Sequence, residues 1–223
     1  LARIDLAERR PDDALGRIKA VIDRNPKNAE ALLTLAELQR STGAAPAEVL
    51  ASLERAEAAS PGAVAANLAI VQHHLRQREF PRALQVAQKV AAANPEDPRV
   101  VETLARAQLA AGDSQQAISA LNKLAGLQPR SAQPWVMLAD VQRSLKNNEA
   151  ADQALRRALS IAPDAVEAQQ RLIALLLEGG KRDDALKVAR DAQARQPKRA
   201  AGYLLEGEIH GTASKWAEAA SAY

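Results

Sequence analysis

The 223-residue chain predicts an all-α fold: a right-handed superhelical solenoid of stacked antiparallel helix pairs. Three columns of residues predict it. Pro26, Pro61, Pro95, Pro129, Pro163 and Pro197 recur every 34 residues, with one step of 35. Ala14, Ala83, Ala117, Ala151, Ala185 and Ala219 keep the same phase, and Val49 fills that slot in the unit with the extra residue. Leu1, Leu35, Ile70, Leu104, Leu138 and Leu172 form an aliphatic column that breaks at Glu206. A fixed period of roughly 20–50 residues marks a repeat array, in which each unit buries its apolar face only against its neighbours.

Each unit reads as two helices. In "DPRVVETLARAQLAAGD" Val100, Val101, Leu104, Ala105 and Leu109 recur at helical spacing, with Gln108 the one polar residue among them. Gly112 and Asp113 make the turn, and Ser114 is the expected N-cap of the second helix. Ala117, Ile118, Leu121 and Leu124 share one face of that helix. Pro129 closes the unit, because proline cannot continue a helix and restricts the residue before it. The units are a partial one at 1–28, complete ones at 29–63, 64–97, 98–131, 132–165 and 166–199, and a partial one at 200–223.

The remaining prolines agree. Pro11, Pro46, Pro81, Pro98 and Pro134 all fall in turns or in a first helical turn, where a missing N–H costs nothing. Gly43, Gly112 and Gly180 share one turn position. The extra residue should sit between Thr42 and Pro46, since only there can length change without shifting both apolar faces.

Composition narrows the function. The chain is 47% hydrophobic but only 2% aromatic, so its core must be built of Ala and Leu. Cysteine is absent, which excludes disulfides and thiolate chemistry. The net charge of +3 is too close to balance for a generic attraction to nucleic acid or membranes. The longest apolar run, Leu172 to Leu177, is too short to span a bilayer. No nucleophile, base and orienting group can be assembled, so no catalytic residue, cofactor or metal is expected. His74 and His210 fall in the slot between helices and should be packed there. Phe80, Trp135 and Trp216 are expected in the core. The chain opens on a leucine within a helical pattern and reads as an internal piece of a longer protein.

The pattern resembles the tetratricopeptide repeat. In 132–165 its positions hold Trp135, Leu138 and Ala139, then Ala151, Leu155 and Ala158, then Pro163. In 200–223 they hold Tyr203, Gly207, Ala219 and Tyr223. Asn67, Val101 and Gln169 depart from it at the first aromatic slot. More narrowly, "RAQLAAGDSQQAISALNKL" and "ALLLEGGKRDDALKVARD" resemble the repeat lipoprotein of the PEP-CTERM/exosortase system, which accompanies exopolysaccharide production in Gram-negative bacteria. The resemblance implies a protein or peptide partner and a periplasmic or outer-membrane-anchored parent, with a cytoplasmic adaptor or a structural spacer as alternatives.

It also implies that the first helices line a concave groove. The exposed groove positions then hold Arg3, Glu30, Glu37, Arg40, Gln72, Arg76, Arg99, Glu102, Arg106, Gln133, Met137, Asp140, Arg143, Glu167, Gln170, Arg171, Glu178 and Glu208. That set contains seven arginines, seven acids and no lysine. Arginine's planar fork binds carboxylates bidentately, so a carboxylate-bearing peptide is the expected ligand, with Arg99, Arg106, Arg143 and Arg171 as central anchors. The competing expectation is internal pairing of Glu102 with Arg106, Glu167 with Arg171 and Asp140 with Arg143. The lysine and asparagine clamp of chaperone-binding relatives is missing, since Leu33, Glu37, Leu68 and Gln72 hold its slots. The truncated ends, at Leu1, Ile4 and Leu15 or at Tyr203, Leu204 and Trp216, are expected to self-associate.

Overall fold

The computed structural model describes residues 10–222, so Leu1, Arg3, Ile4 and Tyr223 lie outside the described residues. The described residues form thirteen α-helices and no strand: α1 Pro11–Arg24, α2 Ala29–Ser41, α3 Pro46–Ala59, α4 Val64–Arg76, α5 Phe80–Ala93, α6 Pro98–Ala110, α7 Ser114–Leu127, α8 Gln133–Ser144, α9 Asn148–Ile161, α10 Val166–Glu178, α11 Arg182–Arg195, α12 Ala200–Gly211 and α13 Trp216–Ala222. The chain divides into two compact units, one up to Ala120 and one from Leu121, with the junction inside α7.

The second helices start at 11, 46, 80, 114, 148, 182 and 216, the period the sequence predicts. The one extra residue lies in the turn at 42–45, which is one residue longer than the turn at 77–79. All five of Pro11, Pro46, Pro81, Pro98 and Pro134 occupy the first or second helical position. Residues before the closing prolines leave the helical region, as at Asn25 (φ −142°, ψ 85°) and Ala162 (φ −130°, ψ 85°). Ser114 corrects the expectation: it is the first residue of α7 rather than the cap before it.

Each first helix ends in one geometry. Gly43, Arg78, Gly112, Lys146, Gly180 and Ser214 all adopt positive φ, between 57° and 88°. At Gly112 its N–H bonds the Leu109 carbonyl at 3.1 Å, and the next N–H, of Asp113, reaches Gln108 at 2.8 Å. These two bonds recur in all six turns and satisfy carbonyls that the helix end would leave unpaired. Three repeats therefore hold a side chain in the left-handed region where the others use glycine.

The alanine column is buried, with Ala14, Ala83, Ala117 and Ala185 all fully inaccessible. A methyl group there lets paired helices approach closely. In the first unit the core is built from overlapping groups of three or four helices: Ile22, Leu32, Leu35, Ala56 and Ala66, then Ala36, Val49, Leu53 and Ile70, then Val71, Ala83, Ala87 and Ala107. Burying a leucine such as Leu32 is worth about 1.5–3 kcal/mol. In the second unit Leu138, Leu155, Leu172, Ile173, Leu205 and Ile209 are buried. There Gly202 brings α12 against α11, since a Cβ would stand 2.7 Å from the Gln193 backbone nitrogen.

The break at Glu206 is a substitution of a paired carboxylate for an aliphatic side chain. Glu206 accepts from Arg190 Nε at 2.8 Å and Gln193 Nε2 at 2.6 Å. Aromatic burial is corrected in part. Trp216, the first residue of α13, is 68% exposed. Trp135 and Phe80 are half-buried, and the Arg157 guanidinium lies 5.9 Å from the Trp135 ring centre. His74 is buried as expected, with Nδ1 2.6 Å from Glu79 Oε2.

Candidate functional site

Among the described residues, the groove positions the sequence singles out lie on first helices. Arg40, Gln72, Arg76, Arg99, Arg106, Gln133, Asp140, Arg143, Glu167 and Gln170 are exposed, and Glu102, Met137 and Arg171 are half-buried. None is in the core, as their positions opposite the apolar stripe require.

The first unit brings some of them together around a cleft of about 260 Å³ between α2 and α4. Its floor is apolar, from Leu33, Ala36, Val49, Leu53, Ala65 and Ala69. Its polar wall is Glu37, Arg40, Gln72, His73 and Arg76. His73 is 6% exposed. Burial first, then the neighbouring His74, holds its pKa below the ordinary histidine range, so the imidazole is neutral at pH 7. Arg40 and Arg76 form no ion pair among the described residues.

The other two described groove arginines of this unit are internally bonded. Arg99 donates through Nε and Nη2 to Asp97, the N-cap of α6, at 3.1 and 2.7 Å. That fork holds the Asp97 carboxyl below its usual range and raises the Arg99 pKa. Arg106 donates to Glu102 one turn back, at 3.1 and 2.7 Å, the expected i,i+4 pair.

In the second unit the face of α8 and α10 closes on itself. Arg143 Nη2 donates to Glu178 at 2.6 Å. Arg171 Nε donates to Asp140 at 2.8 Å, and its Nη1 lies 2.8 Å from Glu167. The Asp140 bond, the largest cause, raises the Arg171 pKa. Glu167 and Arg171 thus form the expected pair. Asp140 and Arg143 do not pair with each other; each reaches the next first helix instead. Sequence spacing within one helix cannot find such bonds, because they join different positions of consecutive units.

The slot that lacks an aromatic side chain is also informative. Gln169 Nε2 donates to the Pro163 carbonyl at 2.8 Å, and Tyr203, at the same position one unit on, donates its hydroxyl to Pro197 at 3.2 Å. A polar tip there latches the helix to the preceding turn.

Among the described residues no group of histidine and acidic side chains could hold a metal ion, and no helix is long and apolar enough to cross a membrane. Stacked helix pairs with polar first-helix faces define a helical-repeat interaction scaffold. Models of the tetratricopeptide repeat match residues 1–64, 74–141 and 132–165. The chain belongs to the tetratricopeptide repeat family.

Solved structures agree on the fold. A tetratricopeptide repeat protein from Parabacteroides merdae is 17% identical with a TM-score of 0.70, over 99% of this chain and 87% of that one. Pseudomonas aeruginosa pilF is 17% identical with a TM-score of 0.67, over 93% and 94%. YrrB, described as a repeat protein with an unusual peptide-binding site, is 15% identical with a TM-score of 0.57, over 83% and 95%. At these identities the likeness is one of fold alone. A comparison with curated protein sequences finds no match.

Proposed function

We propose that the chain is a non-catalytic scaffold that holds a peptide segment of a partner protein on the face of its first helices. The observation that carries this reading is the cleft between α2 and α4, with an apolar floor and a polar wall that includes Arg40, Gln72 and Arg76. A few convergent polar groups over an apolar floor are what a ligand site needs. The name of YrrB, a fold neighbour with a peptide-binding site, is consistent with it. Selection of random peptides on the full chain tests it. Enriched peptides should lose binding to Ala69→Arg, which fills the cleft, or to Met137→Arg on α8. Peptides indifferent to both changes would overturn the reading.

The self-paired face of α8 and α10 favours a second role for that region, as a spacer whose groove is closed. The exposed Leu204 and Trp216 are our proposed self-association patch, to be tested by sedimentation of Trp216→Gln. The resemblance of the repeats to the exosortase-associated lipoprotein supports a place in the envelope of an exopolysaccharide-producing bacterium. Loss of the gene should then reduce secreted polysaccharide.

A further inference from the structure

We infer that the cleft between α2 and α4 seats a glutamate side chain from an internal segment of the partner, gripped by Arg40 and Arg76. The inference rests on the peptide-binding reading above and names what that site takes.

It follows from the register of the repeats. Arg143 is the twelfth residue of unit 132–165 and Glu178 the thirteenth of unit 166–199. Arg40 is the twelfth residue of unit 29–63 and Arg76 the thirteenth of unit 64–97. The two places that carry a 2.6 Å Arg–Glu pair in the second unit therefore carry Arg and Arg in the first. A second substitution has the same sense. Arg171, which bonds Asp140, is a sixth residue, and its counterpart is Ala69, while Glu37 stands where Asp140 does. Replacing a long cation by a methyl group empties the space, and the cleft lies there.

Two guanidiniums thus line one cleft without the carboxylate that the same frame supplies elsewhere. The missing group has a template within the molecule: the side chain of Glu178, presented from a helix and not from a chain terminus. Leu33 and Leu53 on the floor call for an aliphatic residue beside that glutamate.

Calorimetric titration of the full chain with a blocked peptide of Glu-Leu-Ala repeats, its Gln-Leu-Ala counterpart, and an unblocked Gln-Leu-Ala peptide ending in a free carboxylate tests this. The glutamate peptide should bind at least about tenfold more tightly than the blocked glutamine one, the scale of a charge-assisted contact. Arg40→Gln and Arg76→Gln should each weaken it by about tenfold. Arg76→Glu restores the internal pair and should abolish binding with the melting temperature held. Glu178→Arg reopens the equivalent place in the second unit and should add a weaker second binding event. Glutamate-peptide binding that survives Arg76→Glu overturns the inference. So does equal binding of the blocked peptides, or a preference for the free terminus; if that binding is still lost in Ala69→Arg, the peptide-binding reading stands without it.

Discussion

The α2–α4 face and the α8–α10 face are two fillings of one frame. Both present the ninth and twelfth residues of one first helix to the sixth and thirteenth of the next. In the second unit those four residues are Asp140, Arg143, Arg171 and Glu178, and they bond in two crossed pairs. In the first they are Glu37, Arg40, Ala69 and Arg76, and a cleft opens instead. Both faces are built from first helices of consecutive repeats, over a core rich in alanine and leucine. A repeat scaffold thus keeps its fold in the buried columns and can open or close a site by changing surface residues that leave those columns intact.

The largest effect expected from probing this comparison is in the packing beneath. Gly202 and Ala66 are third residues of their units, and both are buried. Ala66 fits its methyl group, whereas at Gly202 a Cβ would lie 2.7 Å from Gln193 N and 3.2 Å from the Ala189 carbonyl. Gly202→Ala should therefore cost about 1–3 kcal/mol, by forcing α12 off α11. Urea unfolding measures it, and hydrogen exchange should place the loss in the second unit alone, since repeat contacts are local. Unchanged stability would mean that α12 has slack the packing does not suggest.

Next comes the polar latch. Gln169→Leu removes the donor to the Pro163 carbonyl and should cost about 1–3 kcal/mol in thermal unfolding. Asn67, at the same position in the first unit, bonds the Ala63 carbonyl, which already accepts the Asn67 backbone N–H. Asn67→Leu should therefore cost less. Equal losses would show that the changed side-chain size and shape, not the hydrogen bond, sets the effect.

These residues mark where the sequence was legible. The proline and alanine columns are periodic because every unit must make the same turn and the same close approach, so a single chain reveals them. Asn67 and Gln169 read only as departures from an aromatic slot, because their partners are backbone carbonyls that leave no mark in sequence. Arg143 and Arg171 read as ligand anchors, because their partners lie 35 and 31 residues away on the next first helix. Trp216 read as core from its column alone, yet burial depends on what packs over it.

A smaller gain is expected at the turns. Arg78 and Lys146 hold φ near 59° at the position where Gly43, Gly112 and Gly180 stand. A residue with a Cβ is strained there, although glycine costs entropy in the unfolded chain. Arg78→Gly and Lys146→Gly should each stabilise by about 0.5–1 kcal/mol net. Ser214→Gly should do the same, so the second unit, with two such side chains against one, should gain more. A loss in any of the three would show that its side chain makes a compensating contact.

The smallest effect concerns the pairs that distinguish the two faces. Arg143 and Glu178 are 45% and 49% exposed. An exposed pair gains little, because water screens it and two long side chains must be held still. A double-mutant cycle with Arg143→Gln and Glu178→Gln should return a coupling of about 0.2–1 kcal/mol. The coupling should shrink further in 1 M salt, where charges separated by more than about 3 Å are screened. Arg76→Glu should create a coupling of the same size with Arg40. If instead the natural pair were worth several kcal/mol, closing the face would be a requirement of folding. The open face of α2 and α4 would then need a compensating interaction elsewhere. A coupling below 1 kcal/mol means that either filling is compatible with the fold, so the choice between a closed spacer and an open peptide site is left to function.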